Sequence, residues 1–459
     1  MKITIDNFGP IHHCEFDLDK DFHLIVGENN VGKSYAMKII YIIIKYAYNL
    51  NQMDYSEMDK LIVFKSEGKL IEQSNIKLIV EDLIKSILNK SFVKNLRTSL
   101  IGTFEGSGVL LNQFSDKSSC IKLDIESSIA TLGIIENQLE MQSFNFKNEV
   151  SLEQGKYSGS KSSNKIIVYY EYNYAGSKIT DVSNFVKRSV SDFYLEVLDQ
   201  IGGFDYIPAS RSGLYQALSS FGQIIAELSK SRYFLTSKIE LPGIPEPLSD
   251  YFINLSNINI ENENDASSAF GKIAEQIERE ILKGKVNYDP KTKLLIFVPD
   301  NTRLELELST TSSMISELSP IVSYLRYSLL EPTLHKALQL PKNKLRKRMV
   351  IIEEPEAHLH PEVQIKLAEV FAALIRSGVK IFITSHSNYI FNKVNNLILG
   401  KKIDISMIEA SVFKMTENGS EGLILNIDEL GIDDENFIDS AEQLYNEKAE
   451  LIQKLNADV

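Results

Sequence analysis

The stretch Leu24-Ile25-Val26-Gly27-Glu28-Asn29-Asn30-Val31-Gly32-Lys33-Ser34-Tyr35 fixes how the rest of the chain is read. An apolar run that reads as a buried strand enters Gly-x-x-x-x-Gly-Lys-Ser, and a long apolar segment leaves it. That strand, loop and helix context is what a phosphate-binding loop requires. Gly27 and Gly32 let the backbone curl so that the N–H groups between them, on Glu28, Asn29, Asn30 and Val31, turn inward, and the following helix adds the partial positive charge of its N-terminus. Lys33 is expected to reach the β and γ phosphates, the Ser34 hydroxyl to be a ligand of Mg²⁺, and Tyr35 to close the nucleotide-binding segment. The cofactors implied are ATP and Mg²⁺.

Working outward, residues 2 to 26 alternate as strands, with Ile3 and Ile5, then Phe16 and Leu18, around the turn Asn7-Phe8-Gly9-Pro10. They predict a hairpin leading into the loop strand. Downstream, Ala36 to Tyr48 is nearly all apolar but too short to span a bilayer, and it carries Lys38 and Lys45. It reads as the buried helix behind the loop. Residues 51 to about 180 hold no nucleotide motif; helical patterns and strands such as Cys120 to Ile125 and Lys165 to Tyr172 suggest an inserted α+β accessory lobe. Tyr169, Tyr170, Tyr172 and Tyr174 fit an aromatic strand packed on a helix, with base stacking as the alternative.

The bulk composition supports a globular reading. The 459 residues are 43% hydrophobic and 24% charged, enough for a sizeable core in two or three units. A net charge of −13 argues against a surface that is one nucleic-acid footprint; the local run Lys342, Lys344, Arg346, Lys347 and Arg348 reads as a solvated stretch ahead of a buried strand, with a DNA contact as the alternative. Two cysteines, Cys14 and Cys120, without metal-like spacing fit a reducing, cytoplasmic compartment, and the acidic, polar N-terminus is unlike a signal peptide. No membrane partner is expected.

The second half of the site lies far along the chain. Met349 to Glu356 is an apolar strand ending in Glu353-Glu354-Pro355-Glu356, the paired carboxylates an Mg²⁺-dependent NTPase needs opposite its loop. Glu353 would hold the metal and Glu354 would orient and deprotonate the attacking water. Pro361 starts a helix, Gly378 ends it, and the strand Val379 to Thr384 completes a βαβ unit that delivers Thr384-Ser385-His386-Ser387 to the same edge. There His386 is placed to bond the γ phosphate or the water. His358 and His360 suggest a zinc pair, although their i, i+2 spacing in a turn suits one metal poorly. Between the halves, Asp205 to Gly213 presents Arg211 in a Ser/Gly-rich turn, a cation for phosphate or a partner subunit, with an ordinary surface arginine beside a helix cap as the alternative. Val286 to Val298 and Leu304 to Leu308 read as two strands around Asp300-Asn301-Thr302. Ser309 to Ser313 place five hydroxyls before a helix, where they could cap it or, with the helix N-terminus, donate to the γ phosphate of a nucleotide held by a second copy. Pro320 either kinks that helix or starts a new one at Ser319. The acids Asp428, Glu429, Asp433 and Asp434 read as a solvated turn before an amphipathic helix, Phe437 to Leu455.

With the loop, Glu353 to Pro361 and Thr384 to Ser387 together, the chain resembles the overcoming-lysogenization-defect type of ABC-class ATPase, relatives of the SMC-like DNA-repair heads found in bacterial antiphage systems. Tyr206 to Gly213 also resembles a recurring segment of that group. The resemblance implies an α/β P-loop NTPase head with a mixed sheet, closing ATP between two protomers, with Ser312 and Ser313 at the signature-loop position. There is no Leu-Ser-Gly-Gly-Gln, Met314 stands where a glycine is expected, and Glu353 replaces the more frequent aspartate. The expected organisation is 1–50 and 181–400 as the two parts of the head, 51–180 as the inserted lobe and 401–459 as C-terminal strands and helix. The implied partners are further copies of the chain, as a homodimer or larger homo-oligomer, and a separately encoded effector such as a nuclease, since the roughly 70 residues after His386 are short for one. An ATP-held scaffold with little turnover is the second reading and a transporter ATPase subunit the third.

Overall fold

The computed structural model describes residues 1–49, 74–154 (except 107, 116 and 137), 165–170, 175–216, 243–258, 268–329 (except 291 and 293), 347–433 and 445–449. Tyr172, Tyr174, Lys342, Lys344, Arg346, Asp434 and most of the C-terminal helix expected at 437–455 lie outside them. In chain order the elements are β1 (Lys2–Phe8), β2 (Ile11–Asp17), β3 (Phe22–Gly27), α1 (Lys33–Tyr48), α2 (Ile76–Leu88), α3 (Lys94–Phe104), β4 (Cys120–Asp124), β5 (Ser128–Ile135), β6 (Gln138–Phe146), β7 (Glu149–Gln154), β8 (Lys165–Tyr170), α4 (Ala175–Gln200), β9 (Ile201–Ile207), α5 (Glu246–Ser256) and α6 (Ala269–Ile277). They continue as β10 (Gly284–Asp289), β11 (Leu294–Pro299), β12 (Leu306–Glu307), α7 (Ser313–Ser323), β13 (Lys347–Glu353), α8 (Pro361–Arg376), β14 (Val379–Ser385), α9 (Asn388–Leu399), β15 (Ile408–Thr416) and β16 (Gly419–Ile424).

Eleven of these strands form one mixed sheet in the order β6-β5-β4-β1-β2-β16-β15-β3-β14-β13-β9. From β15 to β9 neighbouring strands are parallel, with Ser385 beside Val26 and Glu353 beside Thr384, so β3, β14 and β13 deliver their carboxyl ends to one edge. The runs Phe22–Val26 and Met349–Glu353 are buried throughout because helices cover both faces, as central parallel strands require. Strand alternation divides the core in two. Ile25, Met349 and Ile351 pack with α1 to α4, whereas Leu24, Val26, Val350 and Ile352 pack with α6 to α9. Helix α1 is buried along its length, as expected of the segment behind the loop. Pro361 is the first residue of α8, and Gly378, at φ 85°, follows its end as a left-handed stop.

The expected hairpin is present, β1 against β2, but β15 and β16 lie between it and β3. Part of the segment expected as an accessory lobe continues the main sheet: β4 pairs antiparallel with the free edge of β1 and extends the sheet through β5 and β6. An open edge at β1 would leave a row of unpaired backbone groups, which these strands satisfy. Val286 to Val298, read as one strand, is a hairpin of β10 and β11, with the turn after Asp289 fastened by the Thr292 hydroxyl donating to the Asp289 carboxylate. Pro320 lies inside α7 and does not start a new helix.

Candidate active site

The phosphate loop leaves β3 through Gly27, at φ 145°, and enters α1 through Asn30 and Gly32, both with positive φ. A Cβ on Gly27 would lie 2.4 Å from the Phe413 carbonyl oxygen of the neighbouring strand β15, so glycine is required here by both backbone and space. Glu28, Asn29 and Asn30 are exposed, and neither a side-chain cap nor an acidic residue occupies the first turn of α1. Its first N–H groups are therefore open to an anion. The Ser420 hydroxyl donates to the Val31 carbonyl and braces the loop from β16. Lys33 is buried and its Nζ donates to the carbonyls of Gly27 (3.0 Å) and Glu28 (2.6 Å). Burial pulls its pKa down to about 8 against the opposing pull of Glu354 and Glu356. Tyr35 points away from the loop: it stacks on Phe104 of α3 at 4.1 Å and its hydroxyl donates to Val109 O, so in this structure it ties the loop helix to α3 and the chain that follows it.

Across the edge, Glu353 is 4% exposed. Burial raises its pKa, while Lys38 and the neighbouring hydroxyls of Ser34 and Tyr206 draw it down. Its Oε1 is buried with no hydrogen-bond partner among the described residues. An orphaned carboxylate oxygen beside the Ser34 hydroxyl fits the donor set of a hard divalent cation such as Mg²⁺.

Glu354 has φ 42°, a left-handed conformation that a residue with a long side chain rarely adopts. Its N–H donates to Thr384 O (2.9 Å) and Oγ1 (3.3 Å) on β14. The carboxylate is half-exposed, with Oε1 3.5 Å from His386 Nε2. The histidine contact, joined by Lys33 and Arg211, holds its pKa below the usual carboxylate value despite partial burial. His386 is placed in turn by Glu356, whose Oε1 accepts from the His386 N–H (2.6 Å) and the Ser385 hydroxyl (2.8 Å). Burial raises the Glu356 pKa.

The structure thus brings together Gly27 to Ser34, Glu353, Glu354 and His386. Arg211, expected in an exposed turn, is fully buried behind the carboxylates, and its donors face the carbonyls of Pro208, Glu317 and Glu353 to Pro355. Ser312 caps no N–H with its side chain; it and Ser313 sit exposed at the start of α7. His358 and His360 gain no third ligand, for no cluster of three metal-ligating side chains occurs among the described residues, and His360 instead occupies the N-cap of α8. Lys347 and Arg348 are engaged internally, with Asp21 and Asp205. No local pattern marks Tyr206 or Glu317 as part of this site, and only the Pro-Glu after the paired acids points to Glu356.

A phosphate loop and paired carboxylates at the carboxyl edge of a parallel sheet define a P-loop NTPase. The chain belongs to the AAA ATPase domain family, whose model matches residues 1–391. No curated protein matches it. Among solved structures, the SMC head domain from Thermotoga maritima is similar at 9% identity and a TM-score of 0.38, covering 93% of this chain and 98% of that one. An Smc head domain with an extended coiled coil, bound to the C-terminal domain of ScpA derived from Pyrococcus furiosus, is similar at 10% identity and a TM-score of 0.41, covering 98% of each chain. Among the described residues, no helix is long and apolar enough to cross a membrane.

Proposed function

We propose that this chain binds ATP and hydrolyses it, with Lys33 and the loop N–H groups on the phosphates. The observation that carries this reading is the Glu354 carboxylate, held ionised 3.5 Å from His386 Nε2 at the edge where the phosphate loop ends. Ser34 and Glu353 would hold Mg²⁺, which when bound neutralises charge on the β and γ phosphates. Glu354 accepts the proton of the attacking water as its oxygen bonds to the γ phosphorus and the bond to the β-phosphate oxygen breaks. His386 orients the carboxylate and the γ phosphate, and Glu356 fixes the backbone at His386.

The exposed N-terminus of α7, with Ser312 and Ser313, supports a second proposal: ATP closes two copies of the chain so that this helix start faces the nucleotide of the other. The resulting homodimer or larger homo-oligomer gates a separately encoded effector of the nuclease type, as in the antiphage systems whose ATPases the three motifs resemble. Sizing and phosphate release for wild type and Glu354→Gln, with and without ATP and Mg²⁺, test both. The variant is expected to bind ATP, lose turnover by about a hundredfold or more and accumulate as the larger species. Turnover that persists in Glu354→Gln removes Glu354 as the base. Assembly that ignores ATP rejects the closing mechanism.

A further inference from the structure

Arg211 is the largest fully buried side chain among the described residues, and its five donors do not face solvent or the phosphate loop. Nη1 donates to Glu353 O at 3.0 Å and, more loosely, to Pro208 O and Glu354 O, and Nη2 donates to the Glu354 and Pro355 carbonyls at 3.5 Å. One guanidinium therefore clasps three successive carbonyls of the turn in which Glu354 sits at φ 42°. Its Nε donates in the other direction, to Glu317 O (3.2 Å), and lies 3.1 Å from the Glu317 carboxylate, which is 3% exposed on α7. The adjacent Ser212 hydroxyl donates to the same carboxylate at 2.6 Å, and Tyr251 of α5 donates to Arg211 O. A buried ion pair is a weak source of stability, because desolvation offsets the attraction. A planar fork between a strained turn and a helix is, however, a rigid mechanical link.

We propose that Arg211 is a positioning residue that couples helix α7 to the Glu354 carboxylate through Glu317. The helix whose exposed start carries Ser312 and Ser313 is thereby tied, about one turn later, to the backbone that sets the angle of the base. Displacement of that start by a second copy changes the Glu354 turn and hence hydrolysis, while the phosphate loop, which Arg211 does not touch, is unaffected. This role presupposes the hydrolysis proposed above.

The test uses the full chain with Glu317→Gln, which keeps the side-chain volume, and Arg211→Lys, which keeps the charge but cannot span three carbonyls. Thermal unfolding confirms that each is folded, and the readouts are ATP affinity, ATP-driven assembly and kcat. The expected result is affinity within about threefold of wild type and assembly retained, with kcat down about a hundredfold, the cost of a misplaced base. The double variant should lose no more than the worse single one, since both alter the same Arg211–Glu317 ion pair. A normal kcat in folded Glu317→Gln overturns the coupling while leaving the hydrolase reading intact. Parallel loss of affinity, assembly and kcat assigns the pair a purely structural role and also overturns it. Wild type without turnover defeats the hydrolase reading, and the coupling with it.

Discussion

Replacing Gly27 by alanine separates the two glycines of the loop, which sequence alone treats as equivalent. A Cβ at Gly27 would stand 2.4 Å from Phe413 O and 3.2 Å from Phe413 N, both main-chain atoms of β15, which is held in register by its pairing with β3. Neither atom belongs to a flexible side chain, so relief requires the central strands to separate. Overpacking of this kind costs about 1–3 kcal/mol, and the φ of 145° adds about 1–3 kcal/mol for a residue with a Cβ. The sum is roughly 2–6 kcal/mol. At Gly32 the nearest atom to a Cβ is Ser420 Oγ at 3.4 Å, an ordinary contact, and only the φ of 83° is unfavourable, so that exchange costs about 1–2 kcal/mol. Denaturant unfolding of both variants, with ATP binding measured on the folded protein, makes the comparison. Gly27→Ala should lose the larger share of stability, and Gly32→Ala should remain well folded. If Gly32→Ala were as destabilised as Gly27→Ala, or if Gly27→Ala unfolded like wild type, the close approach of β15 would not constrain the loop as described.

Two further outcomes follow from the charges. With its pKa down to about 8, Lys33 is charged below that pH and neutral above it, so proton uptake must accompany phosphate binding on the alkaline side. ATP affinity should therefore be flat up to about pH 8 and weaken by up to about tenfold per unit beyond it, levelling off at the pKa of the complex; titration calorimetry in buffers of different ionisation heat reads the proton uptake, and a flat profile to pH 9.5 would refute it. At the opposite edge of the sheet, Asp21 pairs with buried Lys380 (3.2 Å) and with Lys347, so Asp21→Asn leaves Lys380 without its counter-charge. Stability should fall by about 3 kcal/mol with ATP affinity unchanged, and a change in affinity would mean that the two edges communicate.

Most of the nucleotide edge was legible because its elements are local. Gly27 to Ser34 encode their own turn and helix start, Met349 to Glu353 their own buried strand, and Pro361 and Gly378 the ends of the helix between two parallel strands. His386 could be placed because a βαβ unit puts successive strand ends on one edge. Arg211 misled, since a short turn rich in Ser and Gly has the composition of a surface loop. Only packing against β13 and α7 buries it. The hairpin after Asp289 was missed because two short strands and a turn that keeps its apolar residues look like one longer run.

By itself, then, the sequence determined the P-loop NTPase class and the residues of the phosphate and carboxylate motifs, because short-range backbone geometry and strand-end chemistry are written in neighbouring residues. Tertiary structure alone decided that residues 120–146 extend the main sheet, that Tyr35 stacks on Phe104 and that Arg211 joins the Glu354 turn to Glu317. Strand pairing and the burial of a cation depend on which surfaces remain unsatisfied once distant elements meet, and no local pattern of residues records that.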